Sequence, residues 1–456
     1  MDDAYIHLTF SQNLIDGNGF SFNPNEPTYG VTAPLWTLLL FILGSIFELS
    51  PGLTKSLSII FGFLTIPTIY YLCRQLNLQT KYSLSVAVLW SVNIWHIRWA
   101  ASGMEATLAV LLLLLGFLAN INRRWFTGLL FGLAFLARPE AAVLAVIMLL
   151  EQMYFRLWKK VAMYILTFVV VVLPWIVYAL LEFGTLYPNP ALIKAQSGSL
   201  VLSDFVMGLK RVILIIGGAH TVELILLIFG IGWLLRRKTN FQRILQPLYV
   251  ILIIWAVFPA LFYLTRGVFI TSRYLLIGIP PLIIGTFMVI QSLDKFDIGA
   301  AITKSFNFLM IVMIAIQLSL TVKITIPHVR AFLPTITALK EFALELKETT
   351  PTGSSVAIGD VGVMGYYADR YVIDLEGLVS PQVIPFRVGR LLEQVIYDEE
   401  YWNFRKPDFI IDKAMESDRL SKHFGQRYRI LSVKPIPGGL VDTSHEQWYY
   451  TLYKIN

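Results

Sequence analysis

Runs of apolar residues dominate the middle of the chain, and polar residues concentrate towards its two ends. A helix needs about twenty mostly apolar residues to cross a bilayer. About ten runs reach or approach that length. They are Leu57–Cys73, Tyr82–Trp95, Met104–Ile121, Trp125–Leu136, Ala141–Leu157, Val161–Leu181, Thr221–Leu235, Pro247–Leu264, Tyr274–Leu293 and Phe306–Ile326. This pattern predicts a mainly α protein with a polytopic helical membrane bundle over residues 51–327.

The opening residues have a helical period of their own. Ile6, Phe10 and Leu14 recur every four residues, which gives a helix one apolar face. Gly17 and Gly19 follow and would end such a helix. The period therefore predicts a short amphipathic helix at the start of the chain.

The next apolar segment, Pro34–Leu49, has two interpretations. If it crosses the membrane, the opening helix lies in the cytoplasm. If it lies in the plane of the membrane, the opening helix shares the outer face with the other unusual polar motifs. We prefer the second interpretation and predict that residues 1–50 form a first outer loop with in-plane amphipathic helices.

Residues 328–456 have the pattern of a soluble domain. Ala338, Phe342 and Leu346 stand at helical spacing near its start. Short β-prone runs bounded by turn residues then follow at Ser355–Ile358, Tyr371–Leu375, Phe409–Asp412 and Trp448–Tyr453. The run Gly359–Gly362 lacks a full glycine fingerprint for phosphate, so it predicts a tight strand-to-helix turn. Together these features predict a C-terminal soluble α/β domain.

Composition and charge agree with a membrane protein. Of the 456 residues, 56% are hydrophobic and 15% are charged, with a formal net charge of +7. The charge of residues 328–456 is roughly balanced, so the excess lies in the membrane part. A nucleic-acid-binding protein would carry a basic patch in its soluble part, so we expect no nucleic acid partner.

Basic residues fall in alternate loops of the bundle. They are Arg74 with Lys81, Arg123 with Arg124, Arg156 with Lys159 and Lys160, Arg236 with Arg237 and Lys238, and Lys295 with Lys304. The positive-inside rule places these loops in the cytoplasm. The remaining loops and the C-terminal domain then lie on the outer face of the cytoplasmic (inner) membrane.

The adjacent carboxylates Asp2 and Asp3 are the sharpest candidate for chemistry. Neighbouring carboxylates raise each other's proton affinity, so one can act as a general base while the other orients it or binds a cation. The alternative is structural, because aspartate also caps helix amino termini. Both interpretations stay open on the sequence alone.

Two charged motifs stand at predicted outer helix ends. Glu105 begins a helix, where the dipole favours an acid whether or not it binds substrate. Arg138 and Glu140 flank a proline in an outer turn. A local ion pair explains them slightly better than substrate binding does.

Two outer motifs supply groups that bind phosphate. Prolines stiffen the loop that carries Asn189 and Lys194, and the lysine either meets a phosphate or extends to the membrane interface. Arg273, followed by Tyr274, opens a helix at its outer end and offers a planar guanidinium. Arg98 lies between Trp95 and Trp99 and is best explained as an interfacial anchor.

Taken together, these motifs resemble the GT-C superfamily of membrane glycosyltransferases. The resemblance is closest to bacterial terminal arabinofuranosyltransferase-like members, and more distant to protein O-mannosyltransferases and lipid A aminoarabinose transferases. It rests on Asp2–Ile6, Asn13, Gly17, Gly19, Phe22-Asn23, Glu26, Tyr29-Gly30, Thr32, Pro34–Trp36, Gly103–Glu105, Ala137–Glu140, Pro188-Asn189, Lys194, Arg273-Tyr274 and residues 359–378. It covers nearly the whole chain.

The resemblance implies transfer of a sugar, hexose or pentose, from a polyprenyl-phosphate donor to an extracytoplasmic acceptor with inversion. The acceptor would be a glycan, a lipid or a protein, and membrane lipids surround the bundle. Asp3 or Asp2 would be the catalytic base. The predicted substrate-binding residues are Glu105, Arg138, Asn189, Lys194, Arg273 and Tyr274. No cofactor is certain, although a divalent metal at Asp2 and Asp3 stays open.

The chain departs from these relatives in two places. They carry a transmembrane helix before the aspartate pair, whereas here Met1 directly precedes it. Either the true start lies further upstream or the protein is truncated, and an in-frame apolar stretch upstream of Met1 would restore the helix. Pro190 stands where a threonine is expected, which weakens the role assigned to that loop.

Two other functions would also explain a chain with many membrane helices and with cations in its outer loops. A lipid-linked sugar transporter or flippase would place charges in the middle of its spans, whereas these charges stand at helix ends. A non-catalytic membrane protein whose outer domain binds glycan is the third hypothesis.

Overall fold

A computed structural model describes residues 1–197, 202–236, 247–294, 296, 304–437 and 447–456, and the side chains of residues 194–197 are outside this description. Arg237, Lys238 and Lys295, which helped to predict the orientation, also lie outside the described residues. The chain forms two compact units. Unit 1 comprises Met1–Thr54, Tyr178–Ser197 and Ile324–Asn456, and unit 2 comprises Lys55–Val177 and Gly198–Lys323.

Helices of unit 2, or shared with it, follow the predicted apolar runs. We number the helices in chain order, beginning with α1 (Asp2–Ile15) and α2 (Pro34–Ile46) of unit 1. The next are α3 (Pro51–Gln75), α4 (Thr80–Ser91), α5 (Ile94–Ala100), α6 (Ala106–Ile121), α7 (Thr127–Ala137), α8 (Ala141–Tyr154) and α9 (Trp158–Phe183). Further along are α10 (Asn189–Ser197), α11 (Leu202–Val212), α12 (Thr221–Arg236), α13 (Pro247–Leu264), α14 (Ser272–Leu293) and α15 (Phe306–Thr349).

Fewer helices than predicted are long enough to cross a membrane. Among the described residues, five are long and apolar enough: α3, α9, α13, α14 and α15. Helices α11 and α12 meet at a 93° bend and count as a sixth if they form one broken span. Several predicted spans are instead short apolar helices, such as the 11-residue α7. An apolar run does not record where a helix ends, so several predicted spans are shorter helices among the described residues, and the number of crossings stays a prediction.

The C-terminal domain contains a five-stranded mixed sheet. Its strands are β1 (Ser355–Ile358), β2 (Tyr371–Asp374), β3 (Phe409–Ala414), β4 (Tyr428–Pro437) and β5 (Gln447–Ile455). The order is β2-β1-β3-β5-β4, in which β1 pairs parallel with β2 and β3, and β5 pairs antiparallel with β3 and β4. The four predicted strands are present. The sequence missed β4, because most of its residues are exposed and it has no apolar run.

Helices complete this domain. The longer ones are α16 (Val361–Tyr367), α17 (Leu392–Asp398) and α18 (Arg419–Phe424), joined by shorter turns at Pro381–Val383, Ile384–Arg387, Glu400–Asn403 and Gly425–Arg427. The predicted apolar face of α15 is confirmed, because Ala338, Phe342 and Leu346 are all buried. The predicted turn after β1 is also present, since α16 begins three residues after that strand ends.

The opening stretch folds against the C-terminal domain inside unit 1. The ring of Tyr5 in α1 lies 5.8 Å from the ring of Tyr366 in α16. The amide of Asn23 donates to the carbonyl of Val372 in β2 at 2.9 Å, and its oxygen accepts from the Val372 N–H at 2.9 Å. Phe22 lies so close to Gly365 that an added Cβ would be 2.3 Å from its ring. The predicted segments 1–50 and 328–456 therefore belong to one compact unit.

Helices α1 and α2 also pack against each other. His7 Nδ1 lies 2.7 Å from Thr37 Oγ1, and the hydroxyl of Ser11 donates to the Thr37 carbonyl at 3.0 Å. Helix α2 has 13 residues, fewer than a crossing needs. Its length fits the in-plane prediction, which stays a prediction.

Candidate functional site

The carboxylate of Asp2 caps a helix, but not the helix in which it lies. It accepts hydrogen bonds from the backbone N–H groups of Gly362 and Val363, both at 2.8 Å. These groups open α16 and have no partner within that helix, so a carboxylate there satisfies two donors at once. Of the two interpretations of Asp2, capping therefore describes its contacts, with the first turn of a distant helix as the capped element.

The surroundings of Asp2 favour its protonated form. Burial raises the pKa of Asp2 to about 7, and the negative charges of Asp360 and Asp3 add to the rise, whereas the two backbone donors oppose it. Gly362 permits this approach, because a Cβ there would lie 2.1 Å from the Asp2 carbonyl oxygen. Asp2 is thus held in place by the main chain of the C-terminal domain.

Asp3 differs from its neighbour in exposure. It is an exposed residue in the first turn of α1. The next residue, Ala4, is buried, so the helix turns Asp3 away from the packed face. Asp3 is therefore the more accessible carboxylate of the pair, and its role as a general base stays a prediction.

Asn189 joins two loops of unit 1. Its N–H donates to the carbonyl of Tyr29 at 2.9 Å, and its side-chain amide donates to the carbonyl of Leu378 at 3.2 Å. The residue is buried, with 5% exposure. These contacts give Asn189 a positioning role, and its predicted contact with substrate stays a prediction. The side chain of Lys194 lies outside the described residues.

Unit 2 contains a buried ionic cluster around Arg138, which lies between α7 and α8. Its guanidinium donates to Glu105 at 2.9 Å and to Glu140 at 3.1 Å, and it lies 3.5 Å from the hydroxyl of Tyr263. All three charged side chains are at most 6% exposed. Burial lowers the pKa of Arg138, but the carboxylates of Glu140 and Glu105 outweigh that effect and raise it. The local ion pair expected from the sequence is present, with Glu105 as a second partner.

Arg273 and Tyr274 lie among aromatic rings. Tyr274 stacks on Tyr263, with ring centres 4.3 Å apart, and Arg138 lies 5.5 Å from the Tyr274 ring centre. The guanidinium of Arg273 is 5.8 Å from the ring of Trp99. The structure therefore brings four predicted residues, Glu105, Arg138, Arg273 and Tyr274, into one neighbourhood of unit 2.

Arg98 is the residue whose surroundings the sequence did not reveal. Its guanidinium lies 5.6 Å from the ring of Trp99, the same indole that Arg273 approaches. The indole N–H donates to Ser272 at 3.0 Å, which fixes the ring. Among the described residues, no carboxylate forms an ion pair with Arg98. In the sequence, the only sign of this contact is that Arg98 directly precedes Trp99. The same pattern fits an interfacial anchor equally well.

The described residues contain no group of three or more His, Cys, Asp or Glu side chains placed to hold a metal ion. One of the two predicted ligands, Asp2, already accepts two backbone hydrogen bonds.

Comparisons with known proteins place the fold. The structure is similar to ArnT from Cupriavidus metallidurans in the apo state, with a TM-score of 0.62 and 11% identity over 98% of this chain and 93% of that chain. It is also similar to ArnT from the same organism bound to undecaprenyl phosphate, with a TM-score of 0.58 and 13% identity over the same shares. The chain therefore has the fold of these two structures. The predicted membrane bundle with a C-terminal α/β domain is thereby confirmed.

Comparisons of the sequence alone identify no function. Residues 332–453 match a family model described as a domain of unknown function, DUF8728. A search of curated protein sequences finds no match. The matched segment begins inside α15 and ends inside β5, so it corresponds to the C-terminal domain.

Proposed function

We propose that this GT-C protein is a membrane glycosyltransferase that moves a sugar from a polyprenyl-phosphate donor to an acceptor outside the cytoplasm. The observation that carries the proposal is the likeness, over nearly the whole chain, to ArnT, of which one structure holds undecaprenyl phosphate. The accessible carboxylate of Asp3 supports it independently. The finer resemblance to terminal arabinofuranosyltransferases rests on sequence motifs alone.

Asp3 is the base in this mechanism, and Asp2 is its support. Asp3 takes the proton of the acceptor hydroxyl while that oxygen attacks the anomeric carbon of the donor sugar. Asp2 cannot swing toward a substrate without giving up two backbone hydrogen bonds. Its role is to fix the first turn of α1, from which Asp3 projects.

The bond between the anomeric carbon and the phosphate oxygen breaks as the new bond forms. Attack from the opposite face inverts the anomeric configuration, and polyprenyl phosphate leaves with the electron pair. A phosphate monoester is a good leaving group, so no protein acid is needed to protonate it. Cationic side chains stabilise such an anion, and within unit 2 the candidates for this role are Arg273 and Arg98, which lie against the indole of Trp99.

Glu105, Arg138 and Tyr274 act through the geometry of unit 2 in this proposal. The ion pairs of Arg138 fix the turn between α7 and α8, and the stack of Tyr274 on Tyr263 fixes the residue beside Arg273. Asn189 similarly fixes the loop before Lys194, which is the remaining candidate for contact with the donor phosphate.

The experiment is sugar transfer in reconstituted membranes with synthetic polyprenyl-phosphate pentoses and hexoses. We expect Asp3→Asn to lower the rate at least about 100-fold, the usual contribution of a general base. Asp16→Asn is the matched control, because Asp16 is an exposed aspartate at the other end of α1. Its rate should equal that of the wild type.

Other outcomes separate the alternatives. Full activity in Asp3→Asn, with loss of activity in folded Asp2→Asn, would reverse the base assignment. Movement of intact donor across vesicles without any transfer would identify a flippase instead. Weaker use of the donor by Arg98→Gln, with an unchanged rate at saturation, would support the assignment of that arginine to phosphate.

A further inference from the structure

A large pocket opens in the C-terminal domain, within unit 1. Its volume is about 770 Å³, inside the range of about 300 to 1,000 Å³ typical of small-molecule sites. It is lined by residues that follow or end the parallel strands, including Asp360 after β1, Glu376 after β2 and Lys413 in β3. We call it the sheet-end pocket.

The position of the sheet-end pocket has a topological reason. Strand β1 lies between β2 and β3, and both pairs are parallel. The connection after β1 leads to β2 on one side of β1, and the connection after β2 leads to β3 on its other side. This change of direction leaves a crevice at the carboxyl ends of β1 and β3. Open α/β sheets bind their ligands at such a point.

The charges of the sheet-end pocket disfavour an anionic ligand. Its lining contains five carboxylates and three cationic side chains. Each cation is paired: Lys413 with Asp360 at 3.3 Å, Arg419 with Glu393 at 2.7 Å, and Lys422 with Glu416 at 2.9 Å. Arg419 also donates to the buried Asp412. A phosphate would meet excess negative charge here and would have to displace existing partners.

The helix that could have bound a phosphate at this edge is already occupied. The N–H groups of Gly362 and Val363 in the first turn of α16 donate to Asp2. The pocket is therefore lined by satisfied ion pairs, which offer hydrogen-bond acceptors and donors to a neutral polar molecule.

Aliphatic and aromatic side chains supply the rest of the lining. Tyr397 and His423 stack with ring centres 4.3 Å apart at an angle of 23°. Trp448 and Tyr450 lie two residues apart in β5 and so share one face of that strand. Tyr450 is 1% exposed and its hydroxyl donates to Asp360, so it supports the pocket wall, whereas Trp448 is only partly buried and offers the accessible ring.

Flat aromatic faces beside paired carboxylate and guanidinium groups suit one class of neutral ligand. The C–H face of a sugar ring packs against an aromatic ring, and its hydroxyls both donate and accept hydrogen bonds. We propose that the sheet-end pocket binds a neutral sugar residue of a glycan. That this glycan is the acceptor of the transfer reaction rests on the proposed function, whereas the binding itself does not.

The test is saturation-transfer NMR on the full chain in lipid nanodiscs, since sugar-based detergents would compete. The probes are the methyl glycosides of arabinofuranose, mannose, galactose and glucose, with a linear oligosaccharide of each. We expect at least one to bind and Trp448→Ala to weaken that binding at least tenfold. Tyr449→Ala is the matched control, because Tyr449 is the next residue on β5, points to the opposite face and does not line the pocket.

A second variant distinguishes loss of sugar binding from loss of folding. Met415 lines the pocket but is 52% exposed, so Met415→Arg leaves the core intact while filling the pocket with a charged side chain. It should abolish sugar binding. The inference is overturned if no probe binds, if binding survives both pocket variants, or if inorganic phosphate displaces the sugar.

The same experiment separates this inference from the proposed function. Asp3→Asn should bind the sugar as tightly as the wild type while losing transfer. Sugar binding by the wild type without any transfer would support the proposed sugar site and contradict the proposed transferase function.

Discussion

The two units hold their central charges in opposite ways. In unit 1, the carboxylate of Asp2 is stabilised by two main-chain N–H groups at the start of α16. In unit 2, the guanidinium of Arg138 is stabilised by two carboxylates, Glu105 and Glu140. The first arrangement depends on backbone geometry, and the second depends on side-chain charge.

This difference determines what each unit tolerates. A backbone cap requires that no side chain stand between the carboxylate and the helix, so a glycine is needed at position 362. A buried ion cluster requires that charges remain balanced, because an unpaired buried charge is costly. We therefore expect an added side chain at position 362 to destabilise unit 1, and the loss of one buried charge to destabilise unit 2.

The largest expected effect is on unit 2. Arg138→Met should lower the free energy of unfolding by about 3–5 kcal/mol, because it leaves two buried carboxylates without their cation. The measurement is thermal unfolding of the purified protein. Arg123→Met is the control, since Arg123 pairs with Glu151 at 2.7 Å but is 35% exposed, and it should cost at most about 1 kcal/mol.

A triple variant sharpens this result. Arg138→Met with Glu105→Gln and Glu140→Gln removes all three charges together and should recover most of the loss. A triple variant as unstable as the single one would show that packing, and not charge balance, dominates this cluster.

The next effect concerns the steric requirement in unit 1. Gly362→Ala should destabilise the protein by about 1–3 kcal/mol, because the added methyl group would lie 2.1 Å from the Asp2 carbonyl oxygen and force α1 away. Gly353→Ala is the matched control, since an added Cβ there has no neighbour within 4 Å. Equal stability of the two variants would contradict the close packing of α1 on α16.

A smaller effect is expected from the cap itself. Asp2→Asn keeps one acceptor oxygen but turns an amide donor toward the second N–H, so it should cost about 1 kcal/mol, as loss of a helix cap does. Thermal unfolding measures it, and Asp16→Asn serves again for comparison. If Asp2→Asn matched Asp16→Asn, the cap would contribute nothing to stability.

A further prediction is a pH dependence of stability that arises in unit 1. Burial raises the pKa of Asp374 to about 7, against the backbone donors Val379 and Glu376 that lower it. Between its ordinary value of 3.8 and about 7, the folded state keeps a proton that the unfolded state has lost, so stability falls as pH rises through that window. The unfolding temperature should drop by a few degrees between about pH 5 and 7.5.

Asp374→Asn should flatten that slope, since an amide does not titrate. Asp2→Asn should flatten it further, because the pKa of Asp2 is raised in the same direction. A slope that both variants leave unchanged would place the titrating group elsewhere.

The elements that the sequence predicted were those with strong local patterns. The period of Ile6 and Phe10 found α1, whose buried face includes both residues. Four of five strands and the apolar face of α15 were also found. Strand β4 was missed because most of its side chains are exposed, which leaves no apolar pattern in the sequence. Its place in the sheet comes from backbone pairing with β5.

The arrangement of the candidate residues was harder to predict, because it depends on contacts between distant parts of the sequence. Asp2 looked like a cap for its own helix or a catalytic group, and only the fold shows that it caps α16. Arg138 and Glu140 were predictable as neighbours, but the partnership with Glu105 joins residues 33 positions apart. No local pattern records such a pairing.

The bonds from Gly362 and Val363 to Asp2 also govern the order of biosynthesis. They join residues 360 and 361 positions apart, so α1 is synthesised long before the helix on which it docks. During that interval α1 can pack only on elements that are made earlier, such as α2. A nascent chain stalled before Gly362 would carry Asp3 on a helix that still lacks its partner in the C-terminal domain.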